Sequence, residues 1–228
     1  MPWSEWIRTV EVEPSLYAAD FAILGEQIEA LLRTGCRVFH FDVGDGHFVE
    51  PVTIGPIVLQ SISPLVHRVA GAAIDVHLMV ENPAKYFEPV AAAGGDSVTF
   101  HFEAVAVDDV PATVRAAREQ ELQVGIAFNP QTDPEDVAAV AEGVDVVLCM
   151  GINPGYSGQE FMPETVERVQ RLRAALPGAV HVQVDGGVNQ ENVREIYDAG
   201  ATLLVAGSAI FGREDLPRAY RRLVQALA

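Results

Sequence analysis

Four side chains have the types and placement to hold a cation. His40 and Asp42 stand two apart in the run 38–43. Residues two apart in a strand face the same way. His77 comes at the end of the run 74–79, and Asp185 follows the run 180–184. Each run is strand-like, and each residue is placed where its strand gives way to a loop. Any one of them alone is an ordinary hydrogen-bonded polar residue. Two imidazoles and two carboxylates converging on one mouth make a site for a divalent transition metal.

A second set of residues suits a phosphate. Asn153-Pro-Gly-Tyr-Ser-Gly-Gln159, Asp185-Gly-Gly187 and Gly207-Ser-Ala209 each follow a strand-like run. Glycine lets backbone N–H groups come close to an anion. The residues singled out here are Gly155, Ser157, Gly158, Gln159, Gly186, Gly187, Gly207 and Ser208.

Positioning both sets at one place requires parallel strands. Runs at 38–43, 74–79, 97–102, 123–128, 144–150, 180–184 and 202–206, with a weaker one at 10–17, alternate with amphipathic stretches. In the stretch 163–173 and just beyond it, Val166, Val169, Leu172 and Leu176 recur at helical spacing, and Pro163 suits a first helical turn. Gly35, Gly94 and Gly200 follow helix-like segments, where a left-handed cap is wanted. Eight strand–helix units of about 27 residues predict a compact (β/α)8 barrel of the TIM type, whose functional groups sit at the C-terminal strand ends. A doubly wound open sheet is the alternative, but no GxGxxG follows the first strand. With no linker or composition break, residues 1–228 read as one domain.

Composition narrows the function. With 15 Lys+Arg against 32 Asp+Glu, the 228-residue chain carries a formal charge of −17, and Lys85 is its only lysine. Nucleic acid and anionic membranes are poor partners for such a surface. Schiff-base chemistry from a strand lysine is absent, because Lys85 lies at a helix start after Asn82-Pro83. Cys36 and Cys149 lie far apart and form no disulfide framework. The N-terminus shows early charge and no apolar core, so it is not read as a secretory signal. A cytoplasmic protein is expected.

The motifs together resemble the ribulose-phosphate 3-epimerase family from Ser15 to about Gly212. They are Ser15-Leu-Tyr-Ala-Ala-Asp-Phe21, His40-Phe-Asp-Val-Gly-Asp-Gly-His-Phe48, Thr53-Ile-Gly-Pro56, Asp75-Val-His-Leu-Met79, Glu81-Asn-Pro83, Asn153-Pro-Gly155, Gly158-Gln159, Val184-Asp-Gly-Gly187 and Val205-Ala-Gly-Ser-Ala-Ile-Phe-Gly212. The resemblance implies a metal-dependent 3-epimerase of a ketose phosphate, most simply D-ribulose 5-phosphate to D-xylulose 5-phosphate. It implies that His40, Asp42, His77 and Asp185 hold one divalent ion, zinc first, with iron, manganese or cobalt open. It implies that Asp42 and Asp185 also move the protons. Ser15 and His77 would touch substrate, and Met79 and Met150 would pack near the enediolate. A homo-oligomer, dimer or hexamer, is implied as well. Another ketose phosphate, such as allulose 6-phosphate or a shorter one, is the alternative substrate. A non-catalytic phosphosugar-binding barrel is the reading of a different class. His101 and Glu103 are expected to support the site by hydrogen bonds, while His47 reads as a rim residue and His181 as structural.

The chain departs from the family pattern in places. Gly44 stands where methionine is usual, and Tyr17 where an aliphatic is usual. The expectation is that the Tyr17 ring fills the space left at Gly44 and changes which ketose phosphate fits. Val49-Glu50-Pro51 replaces Val-Pro-Asn, Ser157 a glycine, and Gly151 a serine or threonine.

Overall fold

The computed structural model describes residues 9–227. The N-terminal segment read above as lacking a signal lies outside them. The strands are β1 (Glu11–Pro14), β2 (Val38–Gly44), β3 (Ala73–Met79), β4 (Ser97–His101), β5 (Gln123–Phe128), β6 (Val146–Met150), β7 (His181–Asp185) and β8 (Leu203–Ala206). Helices alternate with them: α1 (Leu24–Arg33), α2 (Pro56–Val66), α3 (Ala84–Ala92), α4 (Val110–Arg118), α5 (Pro134–Ala138), α6 (Thr165–Ala175), α7 (Val193–Asp198), α8 (Ser208–Phe211) and α9 (Leu216–Ala226).

Every ladder is parallel, and each strand from β2 to β8 pairs with its sequence neighbour. β1 pairs with β8. A single parallel bridge, Ser15 to His40, joins β1 to β2 and brings the ring to closure. The result is the expected TIM barrel. Its strands are buried along nearly their whole length, because helices cover the outside and side chains fill the inside.

The main apolar cluster lies between strands and helices. It contains Ile28, Leu31, Leu59, Val90, Val114, Val169 and Leu223 packed on Phe39, Phe41, Phe100 and Val147. Cys149 belongs to this layer, and both cysteines are free and buried. Two smaller groups sit apart: Val38, Ala73, Val146 and Leu203, then Ala127, Leu148, Met150 and Ile152. Gly35, Gly94 and Gly200 take left-handed φ values of 90°, 88° and 117°, ending the helices before β2, β4 and β8.

Three details differ from the sequence reading. β1 stops at Pro14, and the chain turns into a 3-10 segment at Leu16–Ala18, so Tyr17 lies beyond the strand. Pro163 precedes the helix, which begins at Thr165. β3 runs on to Met79, so His77 lies two residues inside its end.

Candidate active site

Strand register assembles the cluster. Asp42 is the ladder partner of His77, Ser15 of His40, and Met150 of Asp185. One ligand atom from each of His40, Asp42, His77 and Asp185 falls within a common span of 4.8 Å. His40 Nε2 stands 3.2 Å from Asp42 Oδ1 and 3.8 Å from Asp185 Oδ2. His77 Nδ1 stands 3.2 Å from Asp42 Oδ1 and 3.6 Å from Asp185 Oδ2. The first three residues are buried, and Asp185 is half-buried at the mouth. Asp185 comes from β7, across the barrel from Asp42 on β2.

Hydrogen bonds behind the cluster fix which nitrogen faces it. His40 Nδ1 lies 3.0 Å from Asp75 Oδ2, and Asp75 also accepts from Ser97 Oγ (2.6 Å) and Gln183 Nε2 (2.8 Å). An imidazole donating to Asp75 presents the lone pair of Nε2 to the cluster. That Nε2 is buried and has no aligned hydrogen-bond partner. On the other side, His77 Nε2 meets His101 Nε2 at 2.8 Å, and His101 Nδ1 meets Glu103 Oε2 at 3.3 Å. Burial pushes His101 down to about 4, outweighing Glu103, so this ring is neutral near pH 7. Burial works to raise Glu103, but His101, Thr132 and the Asn129 N–H hold it below its usual range. Glu103 therefore takes the His101 Nδ1–H, and His101 Nε2 accepts from His77 Nε2–H. This leaves the His77 Nδ1 lone pair facing two carboxylates.

Two lone pairs and two carboxylates at these separations repel one another unless positive charge lies among them. Burial opposes charge on His40, yet Asp42, Asp75 and Asp185 outweigh it and raise its pKa well above the ordinary value. Burial likewise works to raise Asp42, but His40 and His77 hold it far below the carboxylate range. The donor set, the orphaned Nε2 and the charge balance fit a divalent ion bound by two nitrogens and two carboxylates. Ser15 Oγ donates to Asp42 Oδ2 at 2.7 Å and fixes that carboxylate.

Above the cluster opens a cavity of about 820 Å³. Ser15, Tyr17, Asp42, Met79, Met150 and Asp185 line its depth. Gly155, Ser157, Gly158 and Gln159 from the loop after β6 line one side, with Gly186, Gly187, Gly207 and Ser208 from the loops after β7 and β8. These loops converge. A Cβ on Gly207 would stand 3.3 Å from Ser157 Oγ. Gly186 has φ 108°, and a Cβ there would meet Ile152 at 2.3 Å, so only glycine lets the chain pass this closely. Gly151 has the same cause: a Cβ there would meet Gly186 O at 2.3 Å.

Gly44 does not line this cavity, and the expectation that Tyr17 fills its space is corrected. The atoms a Cβ at Gly44 would meet are Pro51 O and Val49 Cγ2, both at 2.9 Å, and Thr53 Cγ2 at 3.0 Å. Thr53 Oγ1 accepts from the Gly44 N–H and donates to Asp42 O, so the loop after β2 folds back into this space. Tyr17 remains at the mouth. His47 is exposed in the loop after β2, and His181 pairs with Thr202 Oγ1 at 3.1 Å, away from the cluster.

Sequence reasoning missed the layer beneath. Gln183 Nε2 bridges Asp75 and Glu13 Oε2 (2.6 Å), and all three are fully buried. Burial, reinforced by Asp75, raises Glu13 well above its usual value and favours its neutral acid. The parity of Asp75 with His77 was the available signal. Arg213 at the cavity rim was also missed.

A family model described as the ribulose-phosphate 3 epimerase family matches residues 11–211. The chain belongs to that family. It is an epimerase acting on carbohydrate. A ribulose-phosphate 3-epimerase of Escherichia coli (strain K12) is 39% identical over 220 residues, covering 95% of this chain and 96% of that protein. One of Bacillus subtilis (strain 168) is 36% identical over 214 residues, covering 92% and 96%. Among solved structures, 3-hexulose-6-phosphate synthase of Salmonella typhimurium superposes with a TM-score of 0.71 at 16% identity, covering 95% of this chain and 98% of that one. Orotidine 5'-phosphate decarboxylase of Pyrococcus horikoshii OT3 does so with 0.68 at 15%, covering 95% and 98%. These two likenesses concern the fold. No described helix is long and apolar enough to cross a membrane.

Proposed function

We propose that this protein interconverts D-ribulose 5-phosphate and D-xylulose 5-phosphate by epimerisation at carbon 3. The observation that carries the reading is the approach of Asp42 from β2 and Asp185 from β7 to one cluster beneath an open cavity. Inverting a carbon beside a ketone requires a proton to leave one face and another to arrive on the opposite face. One of the two carboxylates takes the proton from carbon 3, and the C–H electron pair passes toward the ketone to give an enediolate. The other, protonated, delivers to the far face, and the roles exchange with direction.

His40, Asp42, His77 and Asp185 would hold a divalent ion, zinc by the two-nitrogen, two-carboxylate set. Such an ion supplies positive charge against the negative charge that develops on the substrate oxygens. Ser15 keeps Asp42 oriented. Asp75 and the His101–Glu103 pair hold the two imidazoles in the tautomers described above. Met79 and Met150 give the reacting carbons an apolar wall that excludes water. Gly155, Ser157, Gly158, Gln159, Gly186, Gly187, Gly207 and Ser208 would receive the phosphate.

The test is solvent exchange in heavy water over a panel of ketose phosphates, with metal analysis of the purified protein. Deuterium at carbon 3 of ribulose 5-phosphate, faster than at any hexulose phosphate, is the expected result. Exchange with a hexulose 6-phosphate alone would move the substrate. No exchange despite bound metal would overturn the reaction.

A further inference from the structure

In so acidic a chain, most described cations have partners. Arg33 and Arg68 reach Glu29, Arg118 reaches Asp145, Arg171 reaches Asp133 and Glu135, and Arg194 reaches Asp198. Arg37, Arg168 and Arg173 donate to backbone carbonyls. Among the described residues, the basic side chains with no such partner are Lys85, Arg115, Arg213, Arg218, Arg221 and Arg222. Four of these six fall within ten residues of one another around the start of α9.

Three of the four line one cavity. Arg213, Arg218 and Arg222 bound a recess of about 280 Å³. Arg218 and Arg222 are four apart on α9 and share a face, where like charges repel. Asp215 also lines the recess, but its Oδ1 caps α9 by accepting from the Arg218 N–H at 2.9 Å, and it forms no ion pair with the arginines. One carboxylate against three guanidinium groups leaves a net positive recess on a protein of net charge −17. The recess adjoins the main cavity: Asn189, Gln190, Ala209 and Arg213 line both.

We propose that Arg213, Arg218 and Arg222 form a second anion site, separate from the glycine cradle, that takes a phosphate group. Guanidinium forks match phosphate oxygens in pairs, and three arginines line this recess against a single carboxylate that is ion-paired to none of them. The phosphate has two sources, a second phosphate on the sugar in the main cavity or a separate phosphate ion bound beside it. The site is independent of the reaction assigned above, except where pentulose phosphates serve as probes.

Inorganic phosphate is titrated calorimetrically into the whole protein at low salt. The wild type is expected to show two sites, and R218Q/R222Q one, or a second weakened at least tenfold. R213Q is the independent variant and should weaken the same event. Identical titrations in wild type and R218Q/R222Q overturn the proposal, whether or not the protein epimerises any sugar. A pentulose bisphosphate separates the sources. If it binds at least tenfold tighter than the monophosphate, and R218Q/R222Q removes the advantage, the second phosphate is the sugar's own. If it has no advantage while inorganic phosphate binds alongside the monophosphate, the ion is separate. R218Q/R222Q should keep the melting temperature and turnover of the wild type, since neither residue touches the main cavity.

Discussion

The inside of the barrel has two unlike sides. β1 to β4, with Ser15 just after β1, turn Glu13, Ser15, His40, Asp42, Asp75, His77, Ser97, Thr99 and His101 into it, all buried. β5, β6 and β8 supply Gly125, Ala127, Val146, Leu148, Met150, Leu203 and Val205. β7 is the exception, reaching across with Gln183 and Asp185. Buried polar groups are costly unless paired, and the polar side is knitted accordingly through Asp75, Gln183 and His40. Orphaned atoms remain at Glu13 Oε1, Thr99 Oγ1 and Gln183 Oε1. The apolar side has no such debt: Ala127, Leu148 and Met150 pack together with Ile152, while Val146 and Leu203 meet Val38 and Ala73 at the strand starts of β2 and β3. Stability and chemistry are thus assigned to opposite walls, with β7 carrying the second carboxylate so that the substrate lies between them.

If this division holds, the largest effect comes from Asp42→Asn or Asp185→Asn. Removing a general acid or base costs about 10²–10⁴-fold in turnover. The variant should keep its circular dichroism, and kcat near wild type in either one would erase the contrast. Leu148→Ala on the apolar wall should do the converse, costing about 2–5 kcal/mol of stability while activity per folded molecule survives. Chemical denaturation with matched kcat measures both. Asp75→Asn probes the polar wall one layer down. It weakens the hold on His40 Nδ1, and about 10–100-fold lower metal affinity is expected, read by competition with a chelator.

The smallest effect lies outside the barrel and sharpens the point about burial. His67 Nε2 and Asp96 Oδ2 are 2.9 Å apart, nearly the His40–Asp75 distance, but both are partly exposed. The hydrogen bond to Asp96 raises the His67 pKa despite some burial. A raised folded pKa gives stability that is present below the unfolded value and fades as pH rises through the folded one. For an exposed pair this is at most about 1 kcal/mol. The melting temperature of wild type minus His67→Gln should therefore be greatest near pH 5 and vanish toward pH 9, and a difference that grows with pH would contradict it.

Much of this was legible in the chain. The strand runs, the glycines that end helices, and the alternation of His40 with Asp42 carry their own local signal. The layer of Glu13, Asp75 and Gln183 was not legible, because a buried polar residue in an alternating run looks like a surface one until β1, β3 and β7, far apart in sequence, are brought together by the closing of the ring. The environment of Gly44 failed for a related reason. Its neighbours Val49, Pro51 and Thr53 come from a loop folding back over the strand, a path that no periodicity encodes. Pro163 suited a helix start, yet the helix waits two residues for Thr165.

The seam of the ring lies where the chemistry is. β1 and β2 share only the Ser15–His40 bridge, and the same serine hydroxyl steadies Asp42. Thermal breathing of the barrel should therefore begin at this join, and every such opening disassembles the cluster. A ligand touching both edges works as a clasp. Its presence should register as slowed amide hydrogen exchange along Glu11–Ser15 and Val38–Gly44, before any change is felt on the far wall.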